Sequence, residues 1–135
     1  MNAGYSGTPL AKKLGLRDND KIRIVNAPDH YFDLFSDLPS IQIISNKKTP
    51  KHFIHYFSKE LKQLEKDMPP LKNEIEQNGM IWISWPKKSS RVETDITEDL
   101  IRKIALSNGL VDIKVCAIDD IWSGLKLVIP VKDRK

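Results

Sequence analysis

Along this chain short apolar runs alternate with polar, turn-forming segments, and the spacing within each run predicts an element. Thr8–Gly15 (TPLAKKLG) predicts a short helix, with Thr8 as its cap, Pro9 at the first helical position and Gly15 in the left-handed conformation that ends it. Leu10 and Leu14 give that helix one apolar edge. After the turn Arg17–Asp20, the segment Lys21–Asn26 (KIRIVN) alternates isoleucine with charged residues, which is the period of a strand. Pro28 and Asp29 are expected to open a helix over Asp29–Leu38 that turns Phe32, Phe35 and Leu38 inward. Ile41–Ser45 (IQIIS) reads as a second strand, Asn46–Lys51 as a polar connector and His52–Phe57 (HFIHYF) as an aromatic third strand.

In the second half, Ser58 is expected to cap a helix running to about Asp67, with Leu61, Leu64 and Met68 at helical spacing. Pro69 and Pro70 lack the amide hydrogen that helix continuation needs, so a kinked or broken helix is predicted, ending at Asn78-Gly79. Met80–Trp85 (MIWISW) is apolar on both faces apart from one serine, the pattern of a central strand covered by helices on both sides. The loop Pro86–Asp95 leads to a helix over Glu98–Ser107, capped by Thr97 and carrying Leu100, Ile101, Ile104 and Ala105 on one stripe. Two strands follow, Val111–Ile118 and Leu125–Val131, and the short joint between them predicts an antiparallel pair rather than a parallel crossover. The sum is one α/β domain over residues 1–135: a three-layer Rossmann-like sheet, mostly parallel, with an antiparallel terminal strand pair. The connector Asn46–Lys51 is the tight point, since its six residues span at most roughly 20 Å. It is expected to run fully extended under the sheet, leaving the second strand parallel; the alternative is a second strand antiparallel to the third.

Composition narrows the class without naming a chemistry. At 135 residues, 40% hydrophobic and 30% charged, the chain is neither low-complexity nor disordered. No apolar run reaches the roughly 18 residues of a membrane span, and the polar start lacks a signal-peptide core, so a cytoplasmic protein with no membrane partner is expected. Cys116 is the single cysteine, which excludes an intrachain disulfide. A net charge of +4 is mild, its cations are scattered, and the aromatics sit in expected core strands, so sequence-specific nucleic-acid binding is not expected.

From Ser58 to Val131 the order helix, strand, helix, antiparallel strand pair resembles the end of the Rossmann-like methyltransferase fold, which binds S-adenosylmethionine. Three segments carry a closer likeness across nearly the whole chain: Gly4–Gly15 (GYSGTPLAKKLG), Trp82–Ser90 (WISWPKKSS) and Val111–Val128 with its Trp122-Ser123-Gly124-Leu125-Lys126. By these it is similar to a small bacterial family classed as a domain of unknown function, which implies no activity. The methyltransferase likeness implies a Gly-rich turn after the first strand, where only glycine lets the backbone approach the ligand. Here that turn is Asn26-Ala27-Pro28-Asp29-His30, and the acidic residue implied at the end of the second strand is replaced by Ser45-Asn46 followed by two lysines. The expectation is a truncated methyltransferase-like fold without its usual cofactor; a methyltransferase with a non-standard cofactor turn is the alternative.

Ligands of open α/β sheets sit beyond the carboxyl ends of the strands. That rim is expected to gather Asn26 and Pro28, Ser45 and Asn46, Phe57 and Ser58, and the loop Trp85–Arg91. An exposed Trp85, the point charges of Lys87 and Lys88 and the forked donor of Arg91 suit a small anionic metabolite, bound without catalysis. The same loop could equally be a solvated turn. His52 and His55 lie three apart on a strand, point to opposite faces and cannot converge on a metal. Cys116, between Val115 and Ala117, reads as packing. Trp122 either folds over the core of its own domain or anchors a partner or homodimer contact through the terminal strand pair.

Overall fold

The structure is a computed structural model that describes residues 8–135. Of the first resemblance segment, the part Gly4–Gly7 lies outside the described residues. Along the chain come α1 (Leu10–Leu14), β1 (Lys21–Val25), a 3-10 turn (Tyr31–Leu34), β2 (Gln42–Ile43), β3 (Lys51–Phe57), α2 (Leu61–Glu74) and β4 (Ile75–Pro86). A second 3-10 turn (Lys88–Ser90), α3 (Glu98–Ser107), β5 (Val111–Ala117) and β6 (Trp122–Val128) complete the domain. The described strands form one sheet of order β2-β1-β3-β4-β6-β5. The first four are parallel, and β6 runs antiparallel to both β4 and β5. Dropping the outermost strand of a doubly wound sheet leaves the order seen in β2-β1-β3-β4.

Strand alternation divides the core in two. On β3, Ile54 and Tyr56 face a layer with Ile81, Ile83, Leu64, Met68 and Ile101, covered by α2 and α3. Phe53 and Phe57 face the other layer with Trp82, Trp122, Leu14 and Tyr31, covered by α1 and the first 3-10 turn. Gly15 ends α1 in the left-handed conformation (φ 88°), and the freed carbonyl of Leu14 accepts the indole N–H of Trp82 at 2.9 Å. Pro9, rather than Thr8, occupies the N-cap position of this helix.

Several expected elements have different bounds, each for a physical reason. The helix expected over Asp29–Leu38 is a single 3-10 turn: Phe35 is already extended (φ −107°, ψ 123°), and Pro39 disfavours helix at Leu38. Its inward residue is Tyr31, while Phe32 is 45% exposed. Helix α2 passes through Pro69 and Pro70. The carbonyls left without an amide partner belong to Glu65 and Lys66, both exposed residues that water can reach. Ser58 does not cap α2. Asp95 does so, its carboxylate accepting the Leu61 N–H at 2.7 Å, while the Ser58 hydroxyl accepts the Glu60 N–H at 3.1 Å. Thr97 caps α3 as expected, accepting from Leu100 at 3.3 Å.

The connector resolves without full extension. Ile43 and Phe53 flank Ile22 on its two sides, so β2 reaches only half-way along β1 and the return to β3 is short. Asn46 bends the connector by accepting the Lys48 and Thr49 N–H groups at 3.0 and 2.8 Å. Its end is held by charge. Lys51, fully buried, donates to the Asn46 carbonyl and pairs with Glu74 at 2.8 Å; Arg23 takes the other Glu74 oxygen at 2.6 Å.

Removing one member of this buried set strands the charge of the others. Glu74→Gln is therefore expected to cost about 3–5 kcal/mol of unfolding free energy. In urea melts the double change Lys51→Met with Glu74→Leu should cost clearly less than the single one.

Candidate ligand cleft at the carboxyl rim

Strands β1 and β3 end side by side, and β6, running the opposite way, begins at the same end of the sheet. A cleft of about 410 Å³ opens there. Pro28, Phe57 and Trp122 form its apolar wall, Asn26, Ser58 and Gln63 bring amides and a hydroxyl, and Lys59 and Glu60 stand at the first turn of α2. Asn26 holds the left-handed conformation (φ 59°), a rare state for a residue other than glycine and one asparagine tolerates. Asn26 thus takes, at the end of β1, a backbone conformation that glycine adopts more readily.

The loops around the cleft are tied to one another. Lys59 offers its carbonyl to the Thr94 hydroxyl at 2.6 Å, which fixes the start of α2 against the loop before α3. Asp119 accepts the Ile121 and Trp122 N–H groups at 2.8 and 2.7 Å and meets His30 Nε2 at 3.2 Å with its other oxygen. His30 follows β1 and Asp119 follows β5, so this pair bridges the turn after β1 to the loop that carries Trp122. Lys87 N–H donates to the Ile121 carbonyl at 2.8 Å, closing the same loop from the β4 side.

Of the residues expected at the rim, the structure brings Asn26, Pro28, Phe57 and Ser58 together at the cleft. Ser45 is exposed beyond the short β2 and does not line it. Trp85 is not exposed: it is 7% accessible and packs in the layer under α2 and α3, because Ile81, Ile83 and Trp85 share one face of β4. Lys87, Lys88 and Arg91 flank or form the second 3-10 turn outside the cleft lining. The Ser90 hydroxyl there is spent on the Lys87 carbonyl at 2.6 Å. Trp122 folds into its own domain, edge-on to Phe57 at 5.1 Å, with its remaining edge on the cleft. Lys59, Glu60 and Gln63 escaped the sequence reading. The signal was positional: the first turn of a helix that follows a parallel strand faces the rim.

Behind Phe57 lies a closed polar chain. His55 Nε2 meets Ser84 Oγ at 2.7 Å, and its Nδ1 meets the Tyr31 hydroxyl at 3.0 Å, with all three side chains buried. The imidazole stacks on Phe57 at 4.3 Å. Burial lowers the His55 pKa to about 3, so the ring is neutral, one nitrogen donating and the other accepting. Burial pushes the Tyr31 hydroxyl up in the same way. His52, on the opposite face of β3, instead accepts the Lys21 N–H at 2.9 Å. Cys116 is buried, and burial raises its thiol pKa against the weaker pull of Lys13 and Lys114.

No protein-family model matches this sequence, and no curated protein matches it. Solved structures do. An S-adenosylmethionine-dependent methyltransferase from Aquifex aeolicus superposes with a TM-score of 0.65 at 13% identity, over 89% of this chain and 87% of its own. Magnesium protoporphyrin IX methyltransferase from Synechocystis PCC 6803, with bound S-adenosylmethionine, gives 0.56 at 8% identity, over 87% of this chain and 73% of its own. An O-methyltransferase of neocarzinostatin biosynthesis gives 0.61 at 6% identity; this chain covers 82% of itself and spans 49% of that protein. The fold is thus that of S-adenosylmethionine-dependent methyltransferases. No described helix is long and apolar enough to cross a membrane.

A neutral buried histidine makes stability depend on pH. The unfolded chain takes up a proton near pH 6.5 and the folded one only near 3, so the His55 contribution is complete above about pH 6.5. It declines as pH falls from there toward 3. Urea midpoints measured across this window should drop in the native protein, and His55→Gln should flatten that part of the profile.

Proposed function

We propose that the rim cleft binds S-adenosylmethionine and that the chain is a methyltransferase with a non-standard cofactor turn. The observation that carries this reading is Asn26, whose left-handed backbone keeps the turn after β1 in the shape a close-approaching ligand requires. The cleft lies where open α/β sheets take ligands, and its volume of about 410 Å³ suits a small ligand. Its lining also matches the charges of this ligand. Phe57 and Trp122 offer aromatic surface to a sulfonium cation and exclude water from it. Lys59 suits the ligand carboxylate, while Glu60 and Gln63 suit its ammonium and hydroxyl groups. When bound, S-adenosylmethionine supplies an electrophilic methyl group; the residues of this chain orient it and keep the cleft dry.

Binding without methyl transfer is the second reading, and one observation favours it. The strand β2 is only two residues long and is followed by exposed Ser45 and Asn46, so no carboxylate meets the sugar hydroxyls from that side. We also place the chain with the bacterial, cytoplasmic family whose three segments it shares.

Titration calorimetry with S-adenosylmethionine and S-adenosylhomocysteine tests the proposal directly, and no heat at about millimolar ligand ends it. Glu60→Gln should weaken binding about tenfold, the scale of one charge-assisted hydrogen bond. Asn26→Gly should retain binding, whereas Asn26→Val, which puts a branched side chain into a conformation costing about 1–2 kcal/mol, should lose it. Heat without turnover on any offered methyl acceptor would select the second reading.

A further inference from the structure

A second cleft, independent of the rim site, opens where α1 lies against the edge strand β5. It has a volume of about 430 Å³, and three of its lining residues are Lys12, Lys13 and Lys114. Among the described residues no carboxylate lines it, and none of the three lysines is ion-paired. The remaining lining is small and neutral, from Thr8 and Val115 to Ala117. Lys126 adds a fourth cation directly across β5 and β6 from Lys114. Like charges placed opposite one another in a sheet repel, and here nothing of opposite sign separates them. Burial first, and then the charge of Lys114, pull the Lys126 amine below the ordinary lysine value.

We infer that this cleft is a binding site for a phosphoryl anion of two or more charges, of the pyrophosphate type. Two ion sets elsewhere hold cations against carboxylates: Arg102 meets Glu98, Asp99 and Asp112, and Arg23 and Lys51 share Glu74. Lys12, Lys13 and Lys114 instead line one hollow with no carboxylate among its described lining residues, and a bound polyanion removes their mutual repulsion. Lys114 is held in place for the task, since its amine donates to the Lys13 carbonyl at 2.9 Å and still has two hydrogens to give. Lysine suits a phosphoryl group as a point charge without the planar fork that a carboxylate pair would favour. The floor of the cleft includes Cys116, the single cysteine of the chain, whose thiol donates to the Ala117 carbonyl at 3.3 Å.

That cysteine makes the site readable in the intact protein. Pyrophosphate added at constant ionic strength should slow reaction of Cys116 with methyl methanethiosulfonate. Lys12→Gln combined with Lys13→Gln should raise the pyrophosphate concentration required about tenfold, the scale of a lost charge-assisted contact. Lys62→Gln, on an exposed position of α2, should leave it unchanged. Line broadening of the pyrophosphate phosphorus resonance provides a second measure that needs no thiol access, and the double variant should reduce it. Equal protection by a nucleoside diphosphate would place recognition in the diphosphate alone, while stronger protection would extend the ligand to a nucleotide; both support the site. The inference is overturned by neither protection nor broadening at about 10 mM pyrophosphate. It is equally overturned by effects that chloride reproduces at the same ionic strength or that the lysine changes leave untouched. None of these outcomes depends on S-adenosylmethionine binding at the rim.

Discussion

Glu74, the last residue of α2, holds two cations at once, and the amino end of the sheet is organised around its carboxylate. Through Lys51 it fixes the first residue of β3, and through Arg23 it reaches the middle of β1. Lys51 also takes the Asn46 carbonyl, so the bend that returns the chain from the sheet edge is tied to the same point. A buried ion set of this kind contributes little over well-packed apolar residues of the same shape, but it tolerates no partial removal. What it does supply is register: three elements must arrive together or a charge is left unpaired. The buried ion set thereby sits at one end. At the opposite end, the contact bridging the turn after β1 to the Trp122 loop is the more exposed pair His30–Asp119.

Legibility from sequence followed periodicity. Helix α3, with Thr97 and its apolar stripe, and the apolar stretch Met80–Trp85 of strand β4 could be read because local pattern and tertiary role agree there. But β4 begins at Ile75, where a helix was expected to continue to Asn78-Gly79. Lys51 could not be read. Its polarity placed it in a connector, whereas its burial depends on Glu74, twenty-three residues away. The same holds for Tyr31, which replaces Phe32 as the inward ring because its hydroxyl can reach His55. A hydrophobicity pattern ranks phenylalanine as more buried than tyrosine; a hydrogen-bond partner inside the core reverses the order. Pro69 and Pro70 misled in the other direction, since their cost to a helix falls when the orphaned carbonyls are solvated.

The cleft was half legible. Asn26 and Ser58 lie where the strand ends place them, and that much follows from topology. The tryptophans exchanged roles: Trp85, expected outside, completes the Ile81–Ile83 face of β4, while Trp122 lines the cleft. Strict alternation along β4 contained that answer, because residues two apart on a strand share a face. The larger omission was conformational. The turn after β1 has no glycine, yet the left-handed region is open to asparagine, and Asn26 occupies it. Chemistry and backbone geometry are separate requirements at such a turn. On the proposed reading, Asn26 serves the second and brings an amide to the first.

That separation bears on how a sheet this small can keep a ligand site. Among the described residues the outer strand of the doubly wound pattern is absent and β2 has two residues, so the side of the rim beyond β1 carries little described structure. A nucleoside held across β1 toward that side would find only exposed Ser45 and Asn46. The other side is intact: β3, β4 and β6 end or begin at one level, α2 starts against the loop before α3, and Asp119 pins the turn carrying Trp122. On the proposed reading, recognition leans on the residues between β1 and β6, with Glu60 and Gln63 in place of a carboxylate from the second strand and Trp122 as a wall. On that reading the weight of the site falls inward, toward the half of the sheet that both helices cover.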